Sequence, residues 1–238
     1  MQEYKVIGII GAMDEEVNKL KECLTEVHIQ TKAGMEFYQG KLFEKKVVVV
    51  RSGIGKVNAA ICAQILADEY QVSAIINTGI AGSLNSDINI GDIVLSKDAL
   101  QHDVDATGFG YELGVIPRMK TSIFTGDETL IALAREVCAE QLQDVSVFVG
   151  RVVSGDQFIS DKEKKQCLID HFHADCTEME GAAIAQTATL NQIPFLIIRA
   201  ISDKADDSAH MDYPAFEAMA IHNSVILLKN IMEKLTSL

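Results

Sequence analysis

Pro194-Phe-Leu-Ile-Ile-Arg-Ala-Ile-Ser-Asp203 reads as a strand buried on both faces, because a near-continuous apolar, β-branched run is what a parallel strand covered by helices looks like. Two charges interrupt it. Arg199 stands in the middle and Asp203 at the carboxyl end, and by the two-residue period they share a face with Ile197 and Ile201. A buried charge without a partner is strongly unfavourable, so both residues call for an ion pair or a ligand. A structural salt bridge is the plainer reading, and a binding site the sharper one.

Similar short apolar runs recur at 5–10, 47–51, 73–77, 92–96 and 145–153, and a further strand candidate leads into Glu178. Helical patterns lie between them at 14–23, 57–70, 127–142, 181–190 and 214–235, with a Lys-rich helix at 161–170. Strand and helix alternate. The expected fold is therefore α/β, a three-layer α/β/α arrangement with a mixed, mostly parallel central sheet, and chemistry is expected at the carboxyl ends of its strands. The 238 residues, 48% hydrophobic and 23% charged, suit one domain spanning 1–238, and 3 Pro beside 16 Gly suggest tight turns rather than linkers.

A net charge of −13 opposes phosphate backbones and anionic lipid, which argues against nucleic acid or membrane partners. No apolar run approaches the ~20 residues of a membrane span. Five scattered cysteines without a C-x-x-C pair indicate no disulfide framework, and Met1-Gln-Glu-Tyr-Lys5 has neither signal- nor transit-peptide character, so a cytoplasmic location is expected. His171, His173 and Cys176 lack the spacing and fourth partner of a zinc site, so no metal is expected there.

Two glycine-rich turns invite a nucleotide reading. Gly8-Ile-Ile-Gly11 lacks the G-x-G-x-x-G spacing, and Ser52-Gly-Ile-Gly-Lys56 lacks the leading Gly and the metal-binding Ser/Thr of a P-loop, so neither cradles a pyrophosphate. They remain strand-to-helix turns with exposed backbone N–H groups. Three acidic clusters sit at similar junctions: Asp14-Glu-Glu16 at a helix start, Glu178-Met-Glu180 after a strand, and Asp203. Acids in a first turn commonly serve the helix dipole. If 178–180 is extended, both Glu side chains share one face and raise each other's pKa, and a solvent-facing carboxylate fits Glu178 better than Glu180. Together the clusters suggest carboxylate acid/base chemistry on an uncharged, hydroxyl-rich substrate.

Gly8-Ile-Ile-Gly-Ala-Met-Asp-Glu-Glu-Val17, Ser52-Gly-Ile-Gly-Lys-Val57, Asn77-Thr-Gly79, Val153-Ser-Gly-Asp156, Glu178-Met-Glu180 and Arg199-Ala-Ile-Ser-Asp203, in this order along the chain, resemble the 5′-methylthioadenosine/S-adenosylhomocysteine nucleosidase family. The resemblance implies a nucleoside phosphorylase-like fold, a cytoplasmic homodimer without cofactor, and hydrolysis of the N-glycosidic bond of methylthioadenosine, S-adenosylhomocysteine and 5′-deoxyadenosine. It implies that Asp203 is the general acid toward adenine N7, Glu16 the base toward water, and Glu180 the ligand of the ribose hydroxyls, with the Met179 backbone beside it. Arg199 would lie near the water site, Phe158 would stack on adenine and the Ile159 backbone would read its edge. Met13, Ile54 and Tyr213 would wall the 5′-alkylthio group, while Ser202, Gly82 and Glu178 complete the expected binding set. Ala106, Phe109 and Pro117 would form a flap over the neighbouring subunit's site.

One departure matters. Ile80 stands where the family commonly has Ser, which removes a hydroxyl expected near the water. The same scaffold also serves nucleoside phosphorylases, aminofutalosine hydrolases and, in principle, non-catalytic nucleoside binders. Glu16 in a would-be anion pocket repels phosphate and Ile80 offers it no donor, which favours water as nucleophile.

Overall fold

The computed structural model describes residues 4–142, 145–206 and 209–237, the last stretch without the side chains of 210–215 and 237. Its sheet contains β1 (Val6–Gly11), β2 (Thr25–Lys32), β3 (Met35–Leu42), β4 (Lys45–Arg51), β5 (Ala74–Ser83), β6 (Ile93–Gln101), β7 (Phe124–Thr125), β8 (Val147–Ser154), β9 (Cys176–Glu178) and β10 (Phe195–Asp203). The helices are α1 (Asp14–Glu22), α2 (Lys56–Asp68), α3 (Glu128–Gln141), α4 (Lys162–Phe172), α5 (Gly181–Leu190) and α6 (Ala209–Ser237), with a short 3-10 turn at Thr107–Phe109.

Alternation along the buried strands divides the core in two. Ile7 and Ile9 of β1, Val47 and Val49 of β4, and Leu196 and Ile198 of β10 face α1, α3 and α6. Ile10, Val48, Val50, Ile197 and Ile201 point the other way, toward α2 and α5. Both faces are apolar because both are covered, and three layers result.

The sheet is mixed, and at one end it closes. β5 runs parallel to β1 and β10, and β1 is parallel to β4. β10 then pairs antiparallel with β6, β6 parallel with β8, β8 parallel with β9, and β9 antiparallel with β5, so these five strands form a ring. Nothing in the strand patterns announces that closure. The β2–β3 hairpin is not expected from sequence: β2 holds only two apolar residues, Val27 and Ile29, both exposed, and its turn is carried by Ala33 and Gly34 at φ of 49° and 76°. Both central residues at positive φ match a two-residue hairpin turn. α6 begins at Ala209 rather than at 214.

Candidate active site

The carboxyl ends of β1, β5 and β10 meet the ends of β8 and β9 around a cavity of about 520 Å³. Met13, Glu16, Ile54, Ile80, Gly82, Phe158, Glu178, Met179, Glu180, Ser202 and Asp203 are among its lining residues. Motifs spread from residue 13 to 203 thus converge at the strand ends, where the sheet leaves backbone groups and side chains uncovered.

The acids of α1 divide by burial. Asp14 and Glu15 face solvent, whereas Glu16 is buried and folds back over the preceding turn. Its Oε2 accepts the Ala12 N–H at 2.7 Å and the Met13 N–H at 3.0 Å, and its Oε1 accepts the Ile80 N–H at 3.3 Å. Burial lifts the Glu16 carboxyl above the ordinary range, and the Arg199 charge and these amides offset that only in part. Gly79 makes the approach possible. A Cβ there would stand 2.7 Å from Glu16 Oε1 and 2.9 Å from Arg199 Nη1.

Glu178 is not the solvent-facing member of its pair. It is 8% exposed, and its Oε2 accepts from Arg199 through Nη2 and through Nε at 3.2 Å, and from the Gly181 N–H at 2.8 Å. Its Oε1 takes the Ser154 hydroxyl, which itself accepts the Ala182 N–H at 2.7 Å. Burial alone would raise this carboxyl; the guanidinium and the donated bonds outweigh it and hold Glu178 below the ordinary range. Arg199 is 1% exposed, donates to Asn77 Oδ1 with Nη2 and lies behind the cavity rather than on its wall. The salt-bridge reading of Arg199 is met by Glu178. Its pairing with Glu178 is structural, and its charge also bears on Glu16.

Nor do the two glutamates share a face of an extended strand. β9 ends at Glu178, and the chain turns so that Glu180, at φ −135° and ψ −40°, caps α5. Its Oε1 accepts the Gly55 N–H at 2.8 Å from the Ser52–Lys56 turn. Gly55 sits at φ 98°, a conformation in which a side chain would be strained. Burial, reinforced by the charge of Glu178, pushes the Glu180 carboxyl up to about 8.

Asp203 ends β10 beyond a bulge: Ile201 pairs with Ala81 and Asp203 with Gly82, so Ser202 is the extra residue. The bulge brings both Ser202 and Asp203 to the cavity. Asp203 Oδ1 accepts the Ala205 N–H at 2.7 Å, and Oδ2 accepts the Ser202 hydroxyl at 2.9 Å. Gly82 is required beside it, because a Cβ there would lie 2.7 Å from Asp203 Oδ1.

Phe158 and Ile54 form a half-open apolar rim, 46% and 55% exposed, and Ile159 lines a small adjoining recess with Phe158 and Asp203. Tyr213 lies in α6, but its side chain is outside the described residues. Ala106, Phe109 and Pro117 do not line this cavity; Phe109 is 85% exposed and Pro117 is exposed. Asn77 and Ser154, which orient Arg199 and Glu178, received no role from the sequence. The signal for Asn77 was present, a polar residue inside an otherwise apolar strand, as with Arg199. Among the described residues no group of three or more His, Cys, Asp or Glu is placed to hold a metal ion, and no helix is long and apolar enough to cross a membrane.

Residues 6–233 match the model of the phosphorylase superfamily. A 5′-methylthioadenosine/S-adenosylhomocysteine nucleosidase of Staphylococcus aureus is 44% identical over 221 residues, covering 92% of this chain and 96% of the relative. The crystal structure of such a nucleosidase from Colwellia psychrerythraea 34H, in complex with adenine, superposes with a TM-score of 0.93 at 38% identity, over 98% of this chain and 96% of that one. A futalosine hydrolase of Helicobacter pylori superposes with a TM-score of 0.91 at 34% identity, over 97% and 98% of the two chains. With a buried acid at each of three strand ends and this likeness along nearly its whole length, the chain belongs to the phosphorylase superfamily and, within it, to the 5′-methylthioadenosine/S-adenosylhomocysteine nucleosidases.

Proposed function

We propose that the protein hydrolyses the N-glycosidic bond of 5′-methylthioadenosine and S-adenosylhomocysteine, and of 5′-deoxyadenosine, to adenine and the 5-substituted ribose. The observation that carries this reading is the convergence of Asp203, Glu16 and Glu180 on one cavity. Breaking an N-ribosyl bond passes through an oxocarbenium-like state, which needs a proton for the departing base, negative charge near the ribose and a base for water. Asp203, oriented by the Ala205 amide and the Ser202 hydroxyl, gives its proton to adenine N7 as the C1′–N9 electron pair leaves with the base. Glu16 takes a proton from the water whose oxygen bonds to C1′. Glu180 binds the ribose hydroxyls and, once ionised, stabilises the cationic ring.

Phe158 stacks on adenine beside the Ile159 backbone, and Met13 with Ile54 encloses the 5′ group, roles that their places on the cavity wall and recess support. Arg199 acts from behind the wall, through Glu178 and on Glu16. The working unit is a cytoplasmic homodimer in which Ala106, Phe109 and Pro117 cover the neighbouring subunit's cavity. An almost fully exposed Phe109 supports a partner at that face. The likeness to futalosine hydrolase makes a nucleoside with a bulkier 5′ substituent, such as aminofutalosine, the second substrate to assay.

The test is a product assay with each nucleoside, with and without inorganic phosphate. Adenine and free 5-substituted ribose should form at a phosphate-independent rate. A ribose 1-phosphate that scales with added phosphate overturns the assignment in favour of phosphorolysis.

A further inference from the structure

The Gly53–Gly55 turn that holds Glu180 is itself held from behind. Lys56, the first residue of α2, extends Nζ to Gln101 Oε1 at 2.8 Å and to the Asp103 carboxylate, with only 17% of either charged side chain exposed. The other Asp103 oxygen accepts the Asp156 N–H at 3.0 Å, and Asp156 returns a carboxylate oxygen to the Lys56 N–H at 2.8 Å. The three residues close a ring across three separate segments: the end of β6, the start of α2 and the loop after β8 that carries Phe158. Gly155 lets the ring close, since a Cβ there would lie 3.1 Å from Asp103 Cγ and closer still to the buried His102 ring. Burial alone would raise the Asp103 carboxyl, but the Lys56 ammonium and the Asp156 amide hold it below its ordinary value.

We propose that Asp103 and Lys56 are positioning residues for substrate binding: their half-buried ion pair, closed through Asp156, fixes the Ser52–Lys56 turn so that the Gly55 amide keeps Glu180 aimed at the ribose hydroxyls. The inference rests on the reading of Glu180 as the ribose ligand. The Gly55 N–H lies one residue from Lys56, so a shift of the α2 start by a fraction of an ångström displaces the 2.8 Å bond to Glu180 directly. Asp103 also stands at the root of the 102–118 segment, which ties the flap and the ribose end of the cavity to the same pair. None of these three side chains lines the cavity, so their removal deletes no group that touches the substrate directly.

The experiment measures the affinity of two uncleavable C-nucleoside analogues of adenosine, one with both ribose hydroxyls and one 2′,3′-dideoxy. The variants are Asp103→Asn, Lys56→Met and the charge swap Lys56→Asp with Asp103→Lys, each also in a Glu180→Ala background, which leaves no oxygen for the Gly55 N–H. Asp103→Asn should weaken the ribo analogue by ~5-fold or more, leave the dideoxy analogue within ~2-fold, and add less than ~2-fold once Glu180 is Ala. The swap restores the ion pair but not the acceptor for the Asp156 N–H, so it should recover part of the loss and stay weaker than wild type. Equal weakening of both analogues, or a loss that multiplies in full onto Glu180→Ala, overturns the positioning role and leaves the pair structural. If Lys56→Met fails to fold, Asp103→Asn and the swap decide the matter. Wild-type affinity for both analogues in Glu180→Ala alone sinks instead the reading of Glu180, so the two failures are separable.

Discussion

Replacing Glu180 by Gln removes a charge that the fold bears unwillingly while keeping an oxygen to accept the Gly55 N–H. In the folded protein the Glu180 carboxyl is raised from 4.5 to about 8 by burial and by Glu178. Between those values the native state holds a proton that the unfolded chain has lost, so this group makes stability fall as pH rises through the window and leaves it level above. At ~1.36 kcal/mol per pH unit the ceiling is ~5 kcal/mol. Because Glu178 and Glu16 share the same pocket and relax together, ~1–3 kcal/mol is the expected gain for Glu180→Gln above pH 8, shrinking toward zero near pH 5. At ~2–4 °C per kcal/mol for a domain of this size, thermal unfolding at pH 9 should move up by ~2–12 °C. Adenine release should fall by ~10²-fold or more in the same variant, a trade of activity for stability. Melting curves at pH 5 and pH 9 check this. A difference in Tm that is the same at both pH values, or a variant less stable than wild type at pH 9, would refute the assignment of a destabilising buried charge to Glu180.

Asp203→Asn keeps the shape of the group but transfers no proton, so kcat should drop by ~10²-fold or more with substrate affinity little changed; a substrate whose leaving group needs no protonation should regain much of the rate, and equal loss on both substrates would make Asp203 a binding residue. Glu16→Gln should lose ~10²-fold or more in turnover while still binding a nucleoside analogue, and near-normal turnover would move the base elsewhere. Arg199→Met strands Glu178 without its cation and should destabilise the fold by ~3–5 kcal/mol at neutral pH. Because the Glu178 carboxyl is held below its ordinary value, that contribution is present above about 4.5 and lost as pH falls through the folded value. The Tm deficit of Arg199→Met should therefore narrow in acid, and a deficit independent of pH would count against the pairing as its cause.

Much of the α/β frame was legible because its signals are local. The runs that became β1, β4, β5 and β10 are apolar on both faces, and the helices between them carry the longer period, so strand, helix and layer order follow from short windows of sequence. The β2–β3 hairpin escaped because the two apolar residues of β2, Val27 and Ile29, stay exposed, and the strand is held by its ladder to β3 rather than by a buried face. Ring closure through β6, β8 and β9 escaped because pairing partners far apart in sequence leave no mark on either strand's own pattern.

The site divides in the same way. Arg199 and Asp203 stand out from sequence alone because a charge inside an apolar run carries a free-energy penalty wherever the strand is buried, and the penalty is a property of the run. Which carboxylate takes which task is not. Glu16 differs from Asp14 and Glu15 only in that its helix turn points it inward at the Ala12 and Met13 amides. Glu178 and Glu180 are separated by one residue, yet the turn at the end of β9 sends one to Arg199 and the other to Gly55. Burial and partner distance set a carboxylate's charge state, and both are fixed by residues brought together from across the chain. Composition and periodicity determine that acids stand at the strand ends; the tertiary structure decides which is ionised, which is protonated and what each one faces.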